Sequence, residues 1–237
     1  MKKNTLLFSC IILLSACGNS VELEDDSSTT DSQNTTITTE VNTENEPEKA
    51  EEVAAFKTIE DYIKITSKTQ LYETFDASNI KDEENWYAEG TVKLESSTLT
   101  NPADSTVIKY IWEKNEGEAV GTIEFEYNLF DEDYNILGTQ KIYSENGLFT
   151  GMTLKELEEW NGAPFEFMGF GWDFEGGMME EEGKIGDSKI IIRMSYDLEN
   201  EGSGYKNIIG DILLKSDEDN VKDEPIFIGT LTYYSNL

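Results

Sequence analysis

Ile123-Glu124-Phe125-Glu126-Tyr127-Asn128-Leu129 is the stretch that decides the fold class. Apolar and polar side chains alternate at period two. A helix of 3.6 residues per turn would scatter that pattern around its circumference, whereas a strand sends one set to each face. The same alternation runs through Ile190, Ile192, Met194, Tyr196 and Leu198, with Ile191, Arg193, Ser195 and Asp197 on the opposite face. Further strands are expected near 88–95, 106–114, 137–143, 165–174, 207–215 and 226–234, separated in several places by turn signals such as Asn146-Gly147, Gly176-Gly177 and Gly186-Asp187.

Two short helices interrupt the strands. Ser67-Lys68-Thr69-Gln70 and Thr153-Leu154-Lys155-Glu156 read as capping boxes, each followed by a leucine (Leu71, Leu157) and then an aromatic (Phe75, Trp160). The second helix follows a tight Gly147–Gly151 turn and stops at Asn161-Gly162, with Pro164 just beyond. Met152, Leu154, Leu157 and Trp160 cover one side of it. Two turns of helix are not stable alone, so this face must pack on the sheet. The expected class is α+β: antiparallel sheet or paired sheets with two short capped helices on one face. The two helix starts lie 86 residues apart, and several strands follow each. That spacing suggests a tandem duplication of an α-β-β-β-β unit, with repeats 57–145 and 146–237. Capping boxes are common enough to produce the same spacing without duplication.

Composition removes several functions. The 237 residues carry 49 Asp and Glu against 18 Lys and Arg, a net charge of −31, and no histidine. Such a charge repels nucleic acid phosphates. Without histidine there is no Ser-His-Asp or Cys-His machinery and no His-ligated zinc. Arg193 is the sole arginine, so any bidentate clamp on an anion would rest on it alone.

The N-terminus reads as an export signal. Lys2 and Lys3 precede the apolar run Leu6–Leu14, which as a helix spans about 13–14 Å, far short of a ~30 Å hydrocarbon core. Residues 1–16 are therefore expected to be a signal peptide and not a membrane span. Leu14-Ser15-Ala16-Cys17 resembles the lipobox of bacterial lipoproteins, which implies cleavage before Cys17 and acylation of that residue as a lipid anchor. Cys10 would leave with the signal, so no disulfide is expected. Residues 17–55 read as a tether: from Gly18 to Ala55 there are eleven Asp and Glu, one Lys and no aromatic residue. The run Glu22-Leu23-Glu24-Asp25-Asp26 resembles the acidic surface-export signal of Bacteroidetes-type lipoproteins, although any acidic tether has the same composition. Residues 56–237, with all four tryptophans, form the globular region.

Gly151-Met152-Thr153, Leu157 and Asn161-Gly162-Ala163-Pro164 together resemble the helix motif of SmpA/OmlA-like envelope lipoproteins. The longer run through Phe167, Gly169, Phe170, Gly171, Trp172, Asp173 and Gly176, with the later Gly210-Asp211 pair, is similar to Bacteroidetes-type envelope lipoproteins, a group that brings no established activity. The tandem α-β arrangement also resembles β-lactamase-inhibitory-protein architecture at the level of fold.

Trp172-Asp173-Phe174-Glu175 follows two glycines and reads as a recognition loop, with Trp172, Asp173 and Glu175, and Trp160 nearby in sequence, as candidate binding residues. The competing reading makes Phe170, Trp172 and Phe174 core residues for which the glycines make room. Asp131-Glu132-Asp133-Tyr134-Asn135 opens like a calcium loop, but Ile136 and Ile142 occupy the positions that need Gly and Glu. No metal ligand set, cofactor site or catalytic pair is singled out, although glycoside hydrolysis needs only Asp and Glu. The expected function is thus a non-catalytic, lipid-anchored protein of the cell envelope. It would sit at the outer membrane or cell surface and serve as a protein-binding or assembly module. A carbohydrate-binding surface lipoprotein is the alternative and a carboxylate-based hydrolase the third. The expected partners are the membrane, through the lipid, and a protein or glycan, but no nucleic acid. A binding groove would expose two or more of Trp86, Trp112, Trp160 and Trp172; a purely structural protein would bury them all.

Overall fold

A computed structural model describes residue 53 and residues 55–87, 90–113, 119–179, 183–186, 188–197 and 205–235. The expected signal peptide, Cys17 and the part of the expected tether up to residue 52 lie outside the described residues. Asp187 of the Gly186-Asp187 turn and Leu198 do as well.

The architecture is α+β and mainly antiparallel. Helices α1 (Ile59–Tyr62) and α2 (Lys68–Thr74) lead through a 3-10 turn (Ala77–Asn79) into β1 (Ile80–Tyr87), β2 (Val92–Thr100), β3 (Val107–Trp112) and β4 (Val120–Glu126). A hairpin of β5 (Asn128–Phe130) and β6 (Ile136–Thr139) precedes α3 (Leu154–Asn161). Then come β7 (Glu166–Met168), β8 (Ile190–Tyr196), α4 (Tyr205–Ile208), β9 (Leu213–Lys215) and β10 (Ile226–Tyr234). The main sheet has the order β1-β2-β3-β4-β10-β8, and β5–β6 and β7–β9 form separate pairs.

This pairing departs from two repeated units. In the first half, consecutive strands pair as a meander; in the second half, β8 pairs with β10 and β7 with β9. The halves share one sheet, joined by β4 against β10. The expected strand at 165–174 is cut to β7, because Gly171 and Gly176 take positive φ and turn the chain. The expected strand at 207–215 is helical at its start and extended only over β9.

Register shows why the alternating sequences work. Ser97, Tyr110, Ile123, Tyr233 and Ile190 stand opposite one another across five strands, as do Phe125, Leu231 and Ile192. This face meets Leu71 and Phe75 from the α2 region and Met152, Leu154 and Leu157 from the α3 region in one hydrophobic core. Trp112 is buried in it, its indole N–H donating to Ser97 Oγ at 2.9 Å. The other face carries the intervening polar residues: Thr98, Lys109, Glu124 and Thr232 in one row, and Glu126, Thr230 and Arg193 in the next. Burial pushes the Glu126 carboxyl above the usual range, Glu124 adds to the effect, and Lys109 opposes it.

The Thr153 capping box forms as the sequence indicates, and the Ser67 one forms only in part. Thr153 Oγ1 accepts from the Glu156 N–H at 3.3 Å, and the Glu156 carboxylate accepts from the Thr153 N–H at 2.8 Å. Ser67 Oγ accepts from the Gln70 N–H, but Gln70 reaches one residue further back, to the Thr66 N–H at 2.9 Å. A third cap, on α1, has Asp61 accepting from the Lys57 N–H, the Thr58 N–H and the Thr58 hydroxyl at 3.1, 3.0 and 2.9 Å. Burial pushes the Asp61 carboxyl up, but Lys64 and these donors outweigh it and hold its pKa down at about 2, against an ordinary 3.8. A depressed carboxyl stabilises the fold above its unfolded pKa and loses that contribution as pH falls through the folded value. Asp61→Asn should therefore be destabilised at pH 4 and approach the unsubstituted protein toward pH 2. Urea midpoints at the two pH values test this; a gap that stays constant would remove the cap from the acid response.

Candidate functional site

A concave surface lies at the end of the sheet where β4 leaves, β10 enters and β8 leaves. It is a cleft of about 930 Å³. Arg193, Ser195 and Asp197 from β8 and its continuation form the floor, with Phe227 of β10 directly opposite Ser195. The β5–β6 hairpin supplies one wall through Asn128, Phe130, Ile136 and Thr139. Phe170, Gly171 and Glu175 supply the other, with Ile209 behind them.

Local chemistry explains how these walls are held. The hairpin turn closes on Asp131, whose carboxylate accepts from the Asp133 and Asn135 N–H groups and from the Asn135 amide. Asp131, the first acid of the calcium-like stretch, is thus used in an Asx turn, and Glu132 faces Lys81 at 3.7 Å. In another acidic stretch, Asp217-Glu218-Asp219-Asn220, Asp217 and Asp219 stand against Lys215 and Lys222 at 3.8 and 2.6 Å. Among the described residues no group of three or more acidic side chains is placed to hold a metal ion.

The opposite wall is pinned to β8. The Gly176 carbonyl accepts from the Met194 N–H at 2.8 Å, Gly176 N–H donates to the Met168 carbonyl at 3.1 Å, and Gly177 bridges to Arg193. Between these anchors the Glu175 carboxylate accepts from the Gly171 N–H at 2.8 Å, and the Glu175 N–H donates to the Trp172 carbonyl at 2.9 Å. A turn tied this tightly throws its middle residues outward. Trp172 is 62% exposed and Phe174 71%, whereas Phe170 is buried. Of the three rings only Phe170 is buried, and Gly169 and Gly176 make room not for rings but for backbone, the carbonyl oxygens of Gly210 and Met194.

The sequence candidates therefore separate. Glu175 lines the cleft; Trp172 and Asp173 stand on the outer side of the same turn and are exposed. Trp160 is a half-buried brace: its indole N–H donates to the Asn146 carbonyl at 3.0 Å, and Lys184 lies over its ring at 5.3 Å. Two tryptophans, Trp86 and Trp172, are largely exposed, and Trp112 is buried. Trp86 is on β1 and Trp172 is beside β8, at opposite edges of the sheet. Five strand spacings, about 24 Å along the sheet, separate those edges, so the two rings do not build one platform.

Sequence reasoning missed Phe130, Ile136, Asp197 and Phe227 as site residues and named Arg193 only as the lone arginine. Arg193 and Asp197 were visible as one face of a strand, but nothing local says that a hairpin some sixty residues earlier forms a wall beside them. No protein-family model, curated protein or solved structure matches this chain.

Proposed function

We propose that this chain is a lipid-anchored cell-envelope protein, without catalysis, that binds a protein partner in the cleft beside Arg193. The observation that carries this reading is the cleft's apolar rim. Phe130 and Ile136 line the cleft and are exposed, as are Tyr134 and Leu137 on the same hairpin, and Trp172 and Phe174 are exposed on the outer side of the turn that carries Glu175. Rings and aliphatic groups flanking a concave floor with one cation are what a hot-spot patch offers to protein side chains. Sugar recognition favours flat aromatic platforms rimmed by hydrogen-bonding groups. Here Ile136, Met194 and Ile209 contribute aliphatic surface instead, and the exposed tryptophans stand far apart. Lipid anchoring rests on the Lys2-Lys3, Leu6–Leu14 and Leu14–Cys17 signals.

The test places a photo-crosslinking residue at Ile136, at Phe174 and, as a control, at Tyr72 on α2. Cells expressing each variant are irradiated and fractionated. One and the same protein adduct is expected from Ile136 and Phe174 and none from Tyr72. Adducts at all three positions, or at neither rim, would end the reading. In parallel, Cys17→Ala should move the protein out of the membrane fraction; if it stays there, the anchor is not Cys17.

A further inference from the structure

Arg193 is the only guanidinium in a chain with 49 carboxylates. Among the described residues its side chain makes no hydrogen bond or ion pair, although Glu175 and Asp197 line the same cleft. Glu175 is turned onto the Gly171 N–H, and Glu126, in the same row of the sheet face, is two strands away, about 10 Å. Arg193 is itself fixed by strand register, opposite Thr230 on one side and bridged to Gly177 on the other. A planar five-donor fork is thus presented in a cleft whose hairpin wall carries Phe130 and Ile136, with no side-chain partner among the described residues.

We propose that the cleft selects a carboxylate on its protein partner and that Arg193 receives it as a bidentate pair. This rests on the protein-binding reading and adds the chemistry of its anchor. A fork fits carboxylate or phosphate. The chain's net charge of −31 decides between them, because it repels a dianion about twice as strongly as a monoanion. The same field draws in a partner that is basic overall. The occupant is therefore a basic, apolar polypeptide segment carrying one carboxylate, from either an acidic side chain or a chain terminus.

The test immobilises the full chain and offers three hexapeptide pools built from Leu, Phe, Tyr and Lys. One holds an internal Glu and an amidated end, one an internal Gln and a free carboxylate end, and one Gln with an amidated end. Retention is read by mass spectrometry. At least one carboxylate pool should be retained about 10-fold over the neutral pool, the scale of one charge-assisted pair. Which pool it is identifies the source. Arg193→Gln should bring the ratio to about one, and Arg193→Lys should restore only part of it. Equal retention of all pools, or an unchanged ratio in Arg193→Gln, overturns the proposal. Equal retention on the native chain and on the rim variant Ile136→Asp would instead overturn the protein-binding reading. Arg193-dependent retention of a glucuronate oligosaccharide with no peptide retained would overturn both.

Discussion

Leu157→Ala is expected to destabilise the protein by about 2–5 kcal/mol, the range for a fully buried leucine leaving a cavity. Leu157 has no exposed surface, and α3 is only eight residues long. The helix is anchored where Gly151 N–H donates to the Ile228 carbonyl at 2.7 Å and Ile228 N–H to the Met152 carbonyl at 2.8 Å, against β10. Leu71 on α2 is equally buried, and its helix is tied to β1 and β2 through Lys68 with Asp82 and Glu95. Leu71→Ala should cost a similar amount. Three strand spacings, about 14 Å, separate β2 from β10, so the two losses should add to within about 0.5 kcal/mol. Denaturant midpoints of both single variants and the double variant check this. A loss below about 1 kcal/mol at Leu71 alone would mean that only α3 belongs to the core.

Gly176→Ala should be the most damaging change to the cleft. Gly176 has φ of 65°, and a Cβ there would lie 1.9 Å from the Met194 carbonyl oxygen, which is backbone and cannot step aside. The wall must come off β8, losing the Met194 and Gly177 contacts with it. The left-handed conformation alone costs about 1–2 kcal/mol for alanine, and the clash adds to that. Gly171→Ala is the control, because its φ is 84° but the nearest atom to an added Cβ, on Ile209, is 3.8 Å away. Hydrogen exchange over residues 170–178 should accelerate strongly in Gly176→Ala and little in Gly171→Ala. Matching exchange in the two variants would show that the anchor to β8 is not what holds the wall.

The main elements were legible wherever one residue's neighbours decided its fate. Alternation located β4 and β8, and hydroxyl caps located α2 and α3. α1 carries the same kind of signal at Thr58–Asp61 and was passed over because its helix is only four residues long. β1 was missed for a different reason. Its run Lys81-Asp82-Glu83-Glu84-Asn85 has no apolar period, because it is an edge strand whose charges keep other sheets from pairing with it. The cleft was not legible at all beyond Glu175. Its walls come from residues 128–139 and 170–175 and its floor from 193–197 and 227, and only the non-consecutive β4-β10-β8 order brings them together.

That order also dictates a sequence of events in time. The four-stranded meander ending at Glu126 can form from near-neighbour contacts as soon as it has been made, but its β4 edge has no partner until residues 226–234 arrive. Nearly the whole second half of the chain must be synthesised while that edge stands open. β10 then enters between β4 and β8, not at a margin, which makes a late-made strand the keystone of the sheet. Closing so long a loop is slow, and an open apolar edge is a site for pairing with other chains in the interval. The protein's vulnerable moment therefore precedes its native state, and whatever shields β4 during that interval governs how much of the chain reaches it.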